Sequence, residues 1–386
     1  MYKKKSLIIL TNSFRPFFIL CGLWAFFSIP IWLLNYFNIF NNLENISAIL
    51  WHQHEMFFGF ISAAMTGFIL TALPNWTGKL PKNGWRLLLL IFLWITGRIA
   101  FLSSNIINNI FMAILDLPFL TILLFFISRE VFASKNWKNF PIIILFFLFT
   151  IANWIFHIEL IQHNLYPTIS IKLAICILIL LIAILGGRII PSFTINWLKN
   201  QNNKALPIIK DKFDNLAIII LIIFLLFYMF YPNYILTPYF SIIAGFLHFF
   251  RLLNWKSWTV TSEPLVWILH LGYAWLVMAL ILFGLSMLWN MIPSTVSIHA
   301  FTTGAFTTMI IAVMTRASLG HTGNKLKASS GTTVIYVAIS IAAILRTIEP
   351  LLYNNNIILI NLAGIFWSIA FGSFLFFYSP MLLFKK

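Results

Sequence analysis

Charge is scarce in this chain of 386 residues, because Asp, Glu, Lys and Arg together make up only 9% of it. Hydrophobic residues make up 61%, and the mean hydropathy is +0.94. A water-soluble enzyme carries much more charge, and a disordered chain has far fewer apolar residues, so both classes are excluded. The two cysteines are too few for a disulfide-stapled secreted domain. The composition therefore predicts an integral membrane protein.

Several enzyme motifs are missing from the sequence. It has no Walker A loop, no dinucleotide-binding fingerprint, no Cys-x-x-Cys-His segment and no zinc-protease motif. Lys and Arg number 25 against 9 Asp and Glu, an excess that would indicate nucleic-acid binding in a soluble protein. In a membrane protein the same excess gathers in cytoplasmic loops. No nucleic-acid partner is therefore predicted.

Apolar segments bounded by Pro, Gly, Asn and charged residues predict an all-α polytopic membrane protein with about twelve transmembrane helices. The predicted helices are Phe14–Tyr36, Ala48–Leu73, Trp85–Ser104, Ile106–Ile127, Pro141–Leu160, Thr168–Ile190, Leu216–Tyr231, Tyr234–Leu253, Glu263–Trp289, Ser297–Ser318, Thr332–Leu352 and Ile357–Phe384. Twelve helices leave only ~11 residues for each tail or loop. We therefore expect residues 1–386 to form a single transmembrane bundle with no extramembrane domain. Most basic residues fall on one side, which predicts cytoplasmic N- and C-termini.

Histidines inside apolar segments are the first candidates for function, because a buried ionisable side chain needs a partner or a cavity. Helix two begins with His52 and His54, which project about 200° apart on a helix. The two imidazoles would therefore bind two different metal centres, or one would bind a metal and the other would hydrogen-bond to a group that supports the site. Glu55 lies three residues after His52 and shares its face, and a carboxylate there could fix the tautomer of a ligating imidazole or accept protons. Helix ten brings His299 to a similar depth. We predict that His52, His54 and His299 are metal ligands, for haem iron or copper.

Two other histidines, His248 and His270, lie near the inner face. They are predicted as a second cofactor-binding pair, with a hydrogen-bonded polar pair in the core as the alternative. His157 lies near the outer end of its helix beside Glu159. We expect interfacial water to solvate it. Arg98 is predicted in the outer half of its helix.

Three arginines at cytoplasmic helix ends are also candidates for cofactor binding: Arg15, Arg188 and Arg316. Taken singly, each arginine is explained by the usual enrichment of Lys and Arg at the cytoplasmic ends of transmembrane helices. Glycines stand beside two of them, and a guanidinium binds carboxylate or phosphate groups with two parallel hydrogen bonds. A clamp for an anion or for haem propionates therefore remains an open alternative.

Several segments of the chain resemble blocks of the NnrS family of haem- and copper-containing membrane proteins linked to nitric oxide and nitrosative stress. They run in the family's order and are Phe14–Phe18, Trp51–Phe60, Leu73–Gly78, Gly186–Thr194, His270–Trp275, His299–Thr302 and Met314–Gly323. The resemblance implies a twelve-helix bundle in the bacterial cytoplasmic membrane that carries haem and copper. It also implies that the protein meets nitric oxide in the lipid bilayer and lowers the damage it causes.

Two other functions remain open on the sequence. The protein could be an anion transporter or permease that binds its substrate through the cytoplasmic-face arginines. It could also be an accessory protein for a respiratory nitric oxide metalloenzyme. The resemblance implies no particular reaction, so whether the chain is an enzyme is left undecided.

Overall fold

The computed structural model describes residues 8–40, 46–78, 84–162, 168–203, 206–207, 212–289, 291–352 and 356–384. These residues form the long helices α1 Phe14–Tyr36, α2 Ala48–Thr77, α3 Trp85–Leu102, α4 Asn109–Ser134, α5 Trp137–Ile161, α6 Ile169–Asn200, α7 Lys212–Phe230, α8 Thr237–Asn254, α9 Pro264–Leu288, α10 Ser294–His321, α11 Ser330–Leu351 and α12 Ile357–Leu383. The all-α polytopic fold is confirmed. The basic loop residues Lys79, Lys82, Lys204 and Lys210 lie outside the described residues.

Within the described residues, eleven helices are long and apolar enough to cross a membrane, and α8 is the long helix that falls outside this set. Its polar side chains point inward, since His248 and Arg251 are buried, whereas Ile243, Phe246 and Phe250 are exposed. This arrangement inverts the amphipathicity of a surface helix in a soluble protein. The outward face of α8 is therefore the apolar one, as expected of a helix that contacts lipid.

Large apolar side chains on other helices point outward in the same way. Exposed examples are Phe92 on α3, Phe125 on α4, Phe147 on α5, Leu226 on α7 and Phe376 on α12. A soluble protein rarely exposes contiguous apolar surface on this scale. The outer surfaces of these helices therefore match a lipid environment.

The chain forms two compact units. The first comprises residues 1–175, 317–324 and 371–386, and the second comprises residues 176–316 and 325–370. The first unit thus contains α1 to α5 with the start of α6 and the end of α12, and the second contains α7, α8, α9 and α11. The expectation of a single transmembrane bundle domain stays a prediction.

The two ends of the described chain meet inside the first unit. The backbone N–H of Ile8 donates to the carbonyl oxygen of Leu383 at 2.9 Å. Arg15 at the start of α1 donates to the carbonyl oxygens of Met381 and Leu382 at 2.8 and 3.1 Å. Both ends of the described chain therefore lie on one side of the first unit. Their cytoplasmic orientation stays a prediction.

Local sequence signals set where α2 begins and ends. The side chain of Ser47 accepts a hydrogen bond from the backbone N–H of Leu50 at 3.2 Å, which satisfies a free donor of the first turn. At the other end Gly78 has a φ of 69°, a left-handed conformation that favours glycine, and its N–H donates to the carbonyl of Pro74 at 2.8 Å. These two positions fix the length of the helix that carries His54.

Two of the helices contain a stretch of π-helix. It covers Glu55–Ile61 in α2 and Ala300–Thr307 in α10. Each stretch begins directly after a histidine, His54 or His299. A π-turn holds one residue more than an α-turn and often occurs at functional sites. The side chains around both stretches are therefore candidates for a site.

Candidate metal centre

Ionisable side chains from four helices of the first unit meet in its interior. They are His54 and Glu55 from α2, Arg98 from α3, Asp116 from α4 and His157 from α5, and all are buried, with exposed fractions of 3% or less. We call these five residues the buried cluster. Burial of so many ionisable groups is costly unless they pair with one another or bind a cation. The cluster is therefore the strongest candidate for a functional site in the first unit.

Asp116 is the centre of the buried cluster. One of its carboxylate oxygens, Oδ1, accepts a hydrogen bond from Nη2 of Arg98. The other, Oδ2, lies 3.3 Å from Nε2 of His54 and 3.1 Å from Nε2 of His157, and it accepts a hydrogen bond from the amide of Asn153 at 2.8 Å. Ligand atoms of His54, Asp116 and His157 all lie within 4.8 Å of one another. Two imidazoles and one carboxylate oxygen thus converge on one point.

Glu55 determines which nitrogen of His54 carries the proton. Its Oε1 lies 2.9 Å from Nδ1 of His54, and its Oε2 accepts from Nη1 of Arg98 at 2.7 Å. An ionised carboxylate only accepts hydrogen bonds, so the proton of a neutral His54 belongs on Nδ1. Nε2 then faces the Oδ2 of Asp116 with a lone pair. Two acceptors in contact repel each other, so a cation between them, either a second proton or a metal ion, is required.

The charges of the buried cluster lead to the same requirement. Two ionised carboxylates, on Glu55 and Asp116, face one guanidinium, on Arg98. With neutral histidines the buried group therefore carries one net negative charge. A bound cation would balance it inside a low-dielectric interior, where unbalanced charge is expensive.

Aromatic rings enclose His54 tightly. The Phe101 ring stacks on its imidazole with centroids 3.6 Å apart, and the rings of Phe156 and Phe58 lie 4.9 and 5.3 Å away. A haem iron would bind Nε2 of His54 in the plane of the ring, where Oδ2 of Asp116 already lies 3.3 Å away, so a porphyrin there would overlap this carboxylate. The cluster therefore fits a single metal ion and does not fit haem.

Two glycines let the helices approach closely enough to form these pairs. A Cβ added at Gly59 on α2 would collide with the guanidinium of Arg98, and one added at Gly97 on α3 would collide with the carboxylate of Asp116. The indole N–H of Trp94 donates to the carbonyl of Gly59 at 3.0 Å and helps to fix the π-helical segment. The absence of a side chain at both positions is thus part of how the cluster is built.

The three predicted metal ligands have different surroundings in the structure. His54 lies in the buried cluster, whereas the half-buried His52 stacks on the ring of Trp32 with centroids 4.2 Å apart. His299 belongs to the second unit, where its Nδ1 lies 2.8 Å from the carbonyl oxygen of Thr295. A ligand role for His52 and His299 stays a prediction.

The three predicted arginines have protein contacts of their own. Arg15 is buried and donates to the backbone carbonyls at the end of α12. The guanidinium of Arg316 lies 3.9 Å above the ring of Phe193, and Arg188 is half-buried on α6. Binding of an anion or a cofactor by these arginines stays a prediction.

The predicted pair His248 and His270 lies in the second unit. Nδ1 of His248 lies 2.5 Å from the phenol oxygen of Tyr273, and Nε2 of His270 lies 2.8 Å from the hydroxyl of Thr194. Both imidazoles are therefore hydrogen-bonded core groups. Their role as cofactor ligands stays a prediction.

The sequence interpretation missed three members of the buried cluster. His157 was assigned to interfacial water, yet its exposed fraction is 1%. Arg98 and Asp116 received no role, although each is an ionisable residue in an apolar helix. That signal alone would have identified them as candidates.

Comparison with known proteins places the chain in a family. The profile of the family described as NnrS protein matches residues 8–386. The match includes all twelve long helices and every member of the buried cluster. No match is found among curated proteins.

Proposed function

The chain belongs to the NnrS family, and from this membership and the buried cluster we propose that it is a membrane metalloprotein of the nitric oxide response. It binds one transition-metal ion through Nε2 of His54, Nε2 of His157 and Oδ2 of Asp116. It resides in the cytoplasmic membrane of a bacterium and protects the cell against nitric oxide and nitrosative stress.

The observation that carries this proposal is the 3.3 Å distance between Nε2 of His54 and Oδ2 of Asp116, together with the 2.9 Å distance between Nδ1 of the same ring and Oε1 of Glu55. Histidine ligands of metal ions commonly donate their other N–H to a carboxylate in this way. Imidazole nitrogen with one carboxylate oxygen suits copper, iron and zinc and does not suit calcium or magnesium. Family membership favours copper among these metals.

A copper ion held by these residues would supply a centre for nitric oxide, a small neutral molecule that dissolves in lipid. The protein's own residues keep that centre accessible only to such molecules, because Phe101 and Phe156 line the cluster and each is at most 1% exposed. Arg98 holds Oδ1 of Asp116, so only Oδ2 is available as a ligand.

Haem belongs elsewhere in this proposal, since the buried cluster has no room for a porphyrin. His270 of the second unit remains its predicted ligand. Arg15, Arg188 and Arg316 each remain a predicted binding residue for an anionic group. Absorption spectra of purified protein with His270→Ala test this part, because loss of a haem band is expected.

The metal proposal is tested on full-length protein purified in detergent, with metal content and copper electron paramagnetic resonance as readouts. We expect His54→Ala and His157→Ala each to lose the bound metal. His52→Ala is the matched control, since His52 lies on the same helix outside the cluster, and it should retain the metal. Wild-type metal content in His157→Ala, or metal loss in His52→Ala alone, would overturn the ligand assignment.

A further inference from the structure

A second buried polar group lies in the second unit, around Tyr273 on α9 and His248 on α8. Both residues have an exposed fraction of 0%. The phenol oxygen of Tyr273 and Nδ1 of His248 are 2.5 Å apart, a short hydrogen bond. The metal centre proposed above uses neither residue.

Arg251 determines the direction of this hydrogen bond. Its Nη1 donates to the phenol oxygen of Tyr273 at 2.8 Å. A guanidinium only donates, so the phenol must direct its own hydrogen elsewhere, and Nδ1 of His248 is the acceptor in reach. The phenol proton therefore already points at an imidazole lone pair.

The position of Arg251 is itself fixed by its surroundings. Its Nε donates to Oδ1 of Asp214 at 2.8 Å, and its Nη1 donates to the carbonyl of Ala183 at 2.8 Å. A Cβ added at Gly187 would collide with the guanidinium, so this glycine provides the space. Asp214 balances the charge of Arg251, and the phenol and the imidazole are thus joined without a net charge.

A buried phenol can lose one electron readily only if its proton leaves at the same time, because the phenol radical cation is a very strong acid. A base within hydrogen-bond reach supplies that path. We propose that Tyr273 is a redox-active tyrosine and that His248 accepts its proton. The oxidant is a small neutral one-electron oxidant that dissolves in lipid, of the nitrogen dioxide class.

One electron passes from Tyr273 to nitrogen dioxide, which becomes nitrite, and the phenol proton moves to Nδ1 of His248. The products are a neutral phenoxyl radical, an imidazolium and nitrite. A second molecule of nitrogen dioxide then forms a C–N bond at the ring carbon beside the phenol oxygen, and the proton of that carbon moves to the oxygen, which leaves nitrotyrosine. The choice of oxidant rests on the proposed function, whereas the Tyr273–His248 pair does not.

The second unit contains a matched control for this chemistry. Tyr336 also has an exposed fraction of 0%, and its phenol oxygen lies 2.6 Å from the hydroxyl of Thr315. A hydroxyl is a far weaker base than an imidazole. The hydroxyl of Thr315 is therefore a poorer proton acceptor for Tyr336 than the imidazole of His248 is for Tyr273.

The experiment exposes the purified full-length protein to nitrogen dioxide and freezes samples for electron paramagnetic resonance. We expect a tyrosyl radical in the wild type and in Tyr336→Phe, with loss of the signal in Tyr273→Phe. Metal content should be equal in all three proteins, which separates this outcome from a failure of the metal proposal. A radical that persists in Tyr273→Phe, or no radical in the wild type, would overturn the proposal.

Two measurements on the unmodified protein keep the test independent of how the variants fold. Peptide mass spectrometry should find nitration at Tyr273 in excess of Tyr336. Radical formation should also be slower in D2O, because the proton moves with the electron. Equal rates in the two solvents would exclude His248 as the proton acceptor, and equal nitration would exclude selective oxidation of Tyr273.

Discussion

Gly59 is the position where a single methyl group should perturb the buried cluster most directly. A Cβ there would lie 2.8 Å from Nε1 of Trp24 and 2.9 Å from Oε2 of Glu55, and it would collide with Nη1 of Arg98. Gly59→Ala must therefore displace the guanidinium that connects Glu55 to Asp116. The change substitutes none of the residues proposed as metal ligands.

Three free-energy contributions determine whether Gly59→Ala stabilises or destabilises the first unit. Alanine gains about 1 kcal/mol over glycine inside a helix. Overpacking a close-packed site costs about 1–3 kcal/mol. Loss of one partner from a buried ion pair costs about 3–5 kcal/mol, because the remaining charge is unpaired. The two losses outweigh the gain, so Gly59→Ala should destabilise the first unit. Misplacement of Asp116 should also weaken metal binding by roughly 10- to 100-fold.

The assay is titration of the metal-depleted protein with copper, combined with thermal unfolding in detergent. Gly22→Ala is the control in the same unit, since a Cβ there meets only the ends of Leu375 and Phe374 side chains at 3.0 and 3.1 Å. It should bind copper like the wild type. A folded Gly59→Ala protein with unchanged copper affinity would refute the role of Arg98 in positioning Asp116.

Two further variants test the same reasoning. Glu55→Gln removes the carboxylate that fixes the tautomer of His54. Copper affinity should therefore fall by roughly 10- to 100-fold in the titration while the protein remains folded. Unchanged copper affinity would contradict the tautomer argument. Gly187→Ala should displace Arg251 and lower the melting temperature in detergent by several degrees, whereas Gly22→Ala should lower it less, and equal melting temperatures would show that the space beside Gly187 is not needed.

Much of the fold could be predicted from the sequence, because lipid allows few alternatives. Apolar segments long enough to cross a bilayer must be helical, since lipid cannot satisfy backbone hydrogen bonds. Helix α8 was predicted as Tyr234–Leu253 and is found at Thr237–Asn254. The division into two compact units could not be foreseen, since it depends on which helices pack together over long sequence distances.

The candidate site was predicted only in part. His54 is a predicted ligand and lies in the buried cluster. The spacing on the helix predicts that Glu55 shares the face of His52, whereas in the structure Glu55 contacts the imidazole of His54. Asp116 and His157 come from helices that periodicity cannot orient, because helices buried in apolar surroundings have no polar face to indicate direction. His157 lies near a helix end, where water is the usual partner, and only the packing of α4 against α5 shows that it points inward.

The glycines show why such contacts escape sequence reasoning. Gly187 precedes Arg188, and the sequence suggested that the glycine lets a ligand approach that arginine. In the structure the space beside Gly187 is filled by the guanidinium of Arg251, which comes from a different helix. Gly59 receives Arg98 in the same manner. A glycine in a transmembrane helix therefore marks a close approach, and the approaching group is set by the partner helix. Arg98 lies 39 residues after Gly59, and Arg251 lies 64 residues after Gly187. Local spacing in the sequence carries no information about contacts over such distances. Only the packing of the helices shows that a buried charge fills the space beside each glycine.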